Sequence, residues 1–389
     1  MQVTTQKEIP NRQHDKKQEK PKFLNDREKL QIVRQEFKTK ISPYLAKLTK
    51  KSEAISKQFV PDPREADDFV GSTRAPFEEG KLNQGIYGME RIYEDRVLLT
   101  PYFECSAYCR YCFKKTRTLG GEAKAMNRAQ LDQAFEYIAK EKGIKTLLIT
   151  GGDPFLAVDS IEYILQRVQD IDHINHIRIG TRNILFEPQR ITPEVAEMIS
   201  RYQKIDPKDP KKSKVIGIGL SINHKDELTP EIIEAVNLFT SKGIAIYGQS
   251  VLMKGINDTE KDLYELIEYL MLAGINPYYL LHCMPVVGSQ HLRTSVSKGQ
   301  ELLRSIEALS GTYAFKHYIY VSPIGKHRVS PHETLKYINI GSQRYIERTS
   351  AYKANDFLKY SGKSKLPEHH YEDERGFIVS RYLDAHDEA

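Results

Sequence analysis

Three of the chain's four cysteines, Cys105, Cys109 and Cys112, lie in one run: Phe103-Glu104-Cys105-Ser106-Ala107-Tyr108-Cys109-Arg110-Tyr111-Cys112-Phe113. A thiolate is a soft anionic ligand suited to iron–sulfur clusters and to zinc. A structural zinc takes four protein ligands, whereas three close thiolates with no fourth nearby suit a [4Fe–4S] cluster. Such a cluster leaves one iron open to chelate a small molecule, which is a catalytic arrangement. Tyr108, Tyr111 and Phe113 would shield it from water and oxidation. Buried core thiols, a disulfide and a zinc completed by a distant His or by Cys283 are the competing readings.

A second run, Gly151-Gly152-Asp153-Pro154, follows the continuous apolar stretch 145–150. Glycines let a ligand approach the backbone closely, and exposed backbone groups with Asp153 could bind an ammonium. The same four residues would also make an ordinary strand-to-helix turn.

These runs are set in an alternating chain. Strands are expected at 97–102, 145–150, 176–181, 215–221, 244–252, 278–283 and 313–321. Helices are expected at 127–142, 161–168, 258–272 and 295–310, with two more opening at Thr192-Pro193-Glu194 and Thr229-Pro230-Glu231. In those two, Thr caps the helix and Pro occupies its first position. Alternation of this kind implies parallel βαβ units. About six repeats favour an α/β fold with a partial (β/α)6-type barrel, whose site gathers at the C-terminal ends of the strands. The cysteines, Gly151-Gly152-Asp153, Thr181-Arg182, Asn223-His224 and Cys283-Met284 all follow strand ends. Their convergence on one face argues for an enzyme.

The domain expectation is a disordered polar tail over 1–24, a helical cap over 25–90, a core over 91–312 and a C-terminal segment over 313–389. Within that last segment 337–349 is strand-like, and 350–389 is charged and peripheral. With 40% hydrophobic and 28% charged residues the composition is that of a globular protein. There is no apolar run long enough to span a bilayer, the N-terminus is expected to carry no secretory signal, and few, clustered cysteines suit the reducing cytoplasm. The net charge of +6 is spread over short lysine runs and does not point to nucleic acid.

The cysteine spacing, followed by an apolar and then basic residues, resembles the cluster motif of radical S-adenosylmethionine (radical SAM) enzymes. Gly151-Gly152-Asp153, one βα unit later, looks like the motif that holds the amino group of SAM there. Narrower similarity is carried in order by Asp95-Arg96-Val97-Leu98, Arg178-Ile179-Gly180-Thr181-Arg182, Pro188-Gln189-Arg190-Ile191-Thr192, Gly248-Gln249-Ser250-Val251-Leu252, Gly255-Ile256-Asn257-Asp258, Pro277-Tyr278-Tyr279 and His291-Leu292-Arg293-Thr294. Together these resemble the lysine 2,3-aminomutase family over roughly residues 60–330.

The resemblance implies a radical SAM barrel with two cofactors besides the cluster. SAM at the open iron would yield a 5′-deoxyadenosyl radical. Pyridoxal 5′-phosphate (PLP), held through a lysine, would assist 1,2-migration of an amino group. The cofactors bring the chemistry, and the protein orients them and excludes water. It further implies that Cys105, Cys109 and Cys112 hold the cluster. Gly151, Gly152, Asp153, Arg182 and Gln249 would bind cofactor, Tyr93 and Arg96 would stand beside PLP, and Lys326 would be the PLP lysine. Lys114 matches the residue that binds the substrate carboxylate, though the family has arginine there. Partners implied are a small amino-acid substrate, an electron donor such as flavodoxin or ferredoxin, and a homo-oligomeric assembly.

Two departures stand out. The family's glycine run before the PLP lysine is reduced to Gly325 in Pro323-Ile324-Gly325-Lys326, which leaves open an alternative radical SAM reaction without PLP. The two aspartates that lysine-specific members set against the substrate's distant ammonium fall at Met284 and near Val321, neither acidic. An unpaired buried ammonium is costly, so free lysine is not the expected substrate. Cys283 is expected to be a buried structural thiol.

Overall fold

The computed structural model describes residues 24–67, 72–77, 84–115 and 125–385; the expected disordered tail lies outside these, apart from Leu24. Three short helices open the described chain, at Asp26–Glu36, Pro43–Thr49 and Glu53–Phe59, capped by Asn25, Ser42 and Ser52. Nine strands then form one sheet: β1 (Met89–Glu90), β2 (Arg96–Leu99), β3 (Thr146–Ile149), β4 (His176–Thr181), β5 (Val215–Ser221), β6 (Ala245–Leu252), β7 (Ile275–His282), β8 (His317–Ser322) and β9 (Gly325–Val329).

Their order in the sheet is their order in the chain. Strands β2 to β8 run parallel, so six βα units separate seven strands, while β1 and β9 turn back antiparallel at the two edges. The sheet curls into a partial barrel. In the middle strand β5 five of seven residues are buried, as helices covering the outside allow, whereas β3, β4 and β6 alternate buried and more exposed residues. The expected helix starts hold. Asn127 and Gln130 form a capping box for Arg128–Lys140, and Thr192 and Thr229 cap helices with Pro at the first turn.

The sheet continues past residue 312. Strands β8 and β9 are joined by the two-residue turn Pro323-Ile324, which carries Lys326 into the barrel wall. A second, four-stranded antiparallel sheet follows, made of β10 (Tyr337–Ile340), β11 (Gln343–Lys353), β12 (His370–Glu372) and β13 (Phe377–Leu383), in the order β10-β11-β13-β12.

This corrects the expectation that 350–389 is peripheral. Ile378, Val379, Tyr382 and Leu383 are buried, and the Tyr382 ring stacks on Tyr320 of β8 at 4.5 Å. The charged residues around β13 conceal a strand whose apolar side chains close over the barrel.

Candidate active site

The cysteine loop leaves β2 and is fixed from two sides. On one side the N-terminal helices hold it: the Tyr108 N–H donates to the Lys40 carbonyl at 2.9 Å and the Arg110 N–H to the Gln58 carbonyl at 2.8 Å. The Arg110 guanidinium adds a bidentate, fully buried pair with Glu65. On the other side, the N–H groups of Gly152 and Asp153 donate to the carbonyls of Tyr102 and Glu104 at 3.0 and 2.8 Å. A Cβ on Gly152 would overlap the Glu104 backbone, so only glycine lets these two strand-end loops touch.

Cys105, Cys109 and Cys112 open onto one cavity of about 450 Å³ at the C-terminal ends of the strands. Burial pushes the Cys105 thiol up, and burial with the neighbouring Cys109 pushes Cys112 to about 11; a bound metal would deprotonate such thiols. Among the described residues, no three His, Cys, Asp or Glu side chains form a cage for a single metal ion. Three thiols opening onto one cavity suit an iron–sulfur cluster held by cysteine thiolates. Cys283 is buried apart from them, packed with Met253, Ile256 and Leu292.

Arg182, at the end of β4, reaches this loop. Its Nη1 donates to Cys109 Sγ at 2.9 Å and to the Tyr111 hydroxyl, and its Nη2 donates to Gln58 Oε1 at 2.6 Å and Glu227 Oε1 at 2.9 Å. Asn223 Nδ2 donates to the Tyr111 hydroxyl at 2.6 Å. The guanidinium therefore serves the cysteine loop and the Tyr111 ring.

Asp153 also lines the cavity. Its carboxylate accepts from the Thr181 hydroxyl, from the N–H groups of Arg182 and Asn183, both at 2.7 Å, and from the Phe155 N–H at 3.1 Å. Burial raises it to about 6 against those bonds. With both oxygens engaged, it ties the end of β3 to the end of β4.

Across the cavity, burial, Arg178 and Arg96 push the Lys326 amine down to about 7. Its Nζ lies 4.0 Å from the Tyr279 ring centre. Gly325 holds φ at +127°, where a Cβ would overlap the Tyr93 hydroxyl. This explains why one glycine survives in the shortened run. Arg96 stacks 4.4 Å over Tyr93 and pairs with Asp95 at 3.0 Å.

Arg178 projects from β4 among Tyr247, Tyr278 and Tyr279, with ring centres 5.2–5.5 Å away, and its buried Nε and Nη2 have no hydrogen-bond partner among the described residues. A buried guanidinium with unsatisfied donors beside a low-pKa lysine fits an anionic group such as the phosphate of PLP.

Tyr93, Arg96, Lys114, Gly151, Gly152, Gln249, Met284, Val321 and Lys326 all line the same cavity as the cysteines. Lys114 Nζ stands 3.9 Å from Glu90 Oε1, both nearly buried. Glu90 in the lining, and Gln58 and Glu227 behind Arg182, were not named in the sequence reading, and Arg178 was named there only within the run Arg178–Arg182, without a role. Arg178 alone carried a signal there, as a charge between Ile177 and Ile179 inside an apolar strand.

Residues 99–267 match the Radical SAM superfamily. The L-lysine 2,3-aminomutase of Fusobacterium nucleatum is 32% identical over 308 residues, covering 78% of this chain and 69% of that protein. The glutamate 2,3-aminomutase of Clostridioides difficile is 29% identical over 304 residues, covering 77% of this chain and 69% of that protein. Among solved structures, a radical SAM methyltransferase from Sphaerobacter thermophilus is similar with a TM-score of 0.43 at 16% identity, over 59% of this chain and 67% of that one.

Proposed function

Since the chain belongs to the lysine 2,3-aminomutase family of the radical SAM superfamily, we propose that it is a PLP-dependent amino-acid 2,3-aminomutase acting on a substrate other than free lysine. The observation that carries this reading is the single cavity that sets three cysteines against a half-buried lysine, whose amine Arg178 and Arg96 help to push down to about 7.

Cys105, Cys109 and Cys112 would hold the [4Fe–4S] cluster, and Gly151, Gly152, Arg182 and Gln249 would frame SAM. Lys326 would hold PLP, with Arg178, Arg96 and Tyr93 around it. Bound there, SAM supplies a 5′-deoxyadenosyl radical, and PLP supplies the delocalisation that lets an amino group move between adjacent carbons. The chain's own part is orientation and enclosure. A Lys326 amine pushed down to about 7 is partly neutral at that pH and competent as a nucleophile. Lys114 would meet the substrate carboxylate as a point charge, without the bidentate fork of an arginine.

The substrate's side chain would meet Met284 and Val321. The acids among the described lining residues are Glu90 and Asp153. Glu90 sits against Lys114 and Asp153 is hydrogen-bonded on both oxygens, so neither stands ready for an ammonium. A neutral or apolar side chain suits this wall. His282 adds no charge: burial and Arg293 push it down to about 3, and its ring nitrogens engage Tyr382 and the Thr294 carbonyl.

Anaerobic purification and reconstitution, followed by a screen of α-amino acids for their β-isomers, tests the proposal. Absorbance from both the cluster and a lysine-bound pyridoxal supports it. Cluster absorbance alone favours a radical SAM reaction without PLP, the reading that the short Pro323-Ile324 turn keeps open. An enzyme of this kind needs a one-electron donor of the flavodoxin or ferredoxin class. No helix among the described residues is long and apolar enough to cross a membrane.

A further inference from the structure

Strand β9 is the last of the nine-stranded sheet and, among the described residues, has no neighbouring strand on its outer side. An edge strand leaves backbone N–H and C=O groups without a ladder partner. At Lys326 two tyrosine hydroxyls take them. The Lys326 N–H donates to the Tyr93 hydroxyl at 3.0 Å, and the Tyr352 hydroxyl donates to the Lys326 carbonyl at 2.8 Å. The two rings lie 5.4 Å apart, so they brace each other as well as the strand.

Tyr93 comes from the opposite edge of the barrel, just before β2, and Tyr352 comes from the C-terminal sheet. Tyr352 reaches the barrel because β11 is irregular there: its register against β13 shifts between Thr349 and Lys353. The Tyr352 N–H bonds to Ser350 Oγ at 3.1 Å rather than continuing the ladder. A bulge of this kind re-aims a side chain.

We infer that Tyr352 is a positioning residue for the Lys326 amine: with Tyr93 it clamps the unpaired edge of the barrel so that the lysine side chain is held in the cavity, and the C-terminal sheet is thereby part of the active site. The inference rests on the proposed role of Lys326 for its functional meaning but not for its geometry. The groups facing the amine from the packed elements are Arg178 of β4, Arg96 of β2, His317 of β8 and the Tyr279 ring. Loosening the clamp exposes the amine to water and moves it away from both guanidiniums.

The test uses the full-length chain, first without PLP. Wild type and Tyr352→Phe are pulsed with acetic anhydride across a pH series, and acetylation of each lysine is read by peptide mass spectrometry. The expected result is that Lys326 alone labels roughly fivefold faster in Tyr352→Phe, as the loss of one hydrogen bond would allow, with its pH midpoint moved up toward the ordinary lysine value. Global loosening would accelerate many lysines together. PLP is then added, and its dissociation constant should rise roughly tenfold in the variant while the iron content stays as in wild type.

Unchanged rate and midpoint at Lys326 would overturn the inference, as would acceleration spread over all buried lysines. Should Tyr352→Phe fail to fold, Tyr93→Phe removes the other hydroxyl and must shift Lys326 in the same direction. A wild type that takes up no PLP would refute the functional proposal and leave the acetylation result to decide the clamp.

Discussion

Arg182 and Glu227 meet at 2.9 Å with side chains 8% and 0% exposed, and the same guanidinium touches Cys109. Removing one partner of a buried pair leaves the other charge uncompensated, at a cost of about 3 kcal/mol or more. Glu227→Ala should therefore lower the unfolding free energy by about 3 kcal/mol in a denaturant titration, and Glu227→Gln by less. Both should retain less iron on reconstitution, because Arg182 no longer has a fixed place against the cysteine loop. A Glu227→Ala protein as stable as wild type would show that the pair contributes little.

The cysteines divide three to one. Cys105→Ala, Cys109→Ala and Cys112→Ala should each lose bound iron and the cleavage of SAM to 5′-deoxyadenosine. Cys283→Ala, in a cluster of its own with Met253 and Leu292, should keep both. Normal iron content in Cys109→Ala would defeat the assignment.

Borohydride treatment of the PLP-loaded protein should attach the cofactor to the peptide carrying Lys326. The amine is held near 7 by burial and by Arg178 and Arg96. It is charged below that value and neutral above it, so the rate of PLP capture should climb from about pH 6 to 8 and then level off. Arg178→Gln removes a repelling cation and should shift that rise to higher pH, while weakening PLP binding. A label on another lysine, or a flat rate profile, counts against Lys326.

Substrate choice turns on Met284 and Val321. Each CH2 placed against such a wall contributes about 0.8 kcal/mol, whereas an unpaired ammonium there costs several kcal/mol. Wild type should show negligible conversion of L-lysine to β-lysine. Met284→Asp should slow turnover of the true substrate by adding an uncompensated charge. Robust β-lysine formation by the reconstituted wild type, measured by chromatography, would sink this reading.

The repeating architecture was legible because the strands read as apolar or alternating runs, and because Thr-Pro-Glu marks helix starts by local chemistry. The residues lining the cavity were legible for a related reason: each follows or sits on a strand whose end faces one way. What stayed hidden depends on distant partners. Nothing near Asp153 in the chain shows that Thr181 and the Arg182 and Asn183 amides will occupy its carboxylate. Glu90 gave no sign of meeting Lys114, because β1 is only two residues long. The buried β13 was missed because Ser380 and Arg381 interrupt its apolar residues and charges flank it.

The agreement between strand order and chain order bears on assembly. Each new strand can join the edge left by the one before it, so ring closure involves only one short βα segment at a time, at modest entropic cost. The cavity is different. Its thiol wall forms beside the second strand and its lysine wall arrives only with the ninth. A chain that added its strands in that order would leave the cysteine loop on an open trough until the last strand arrived.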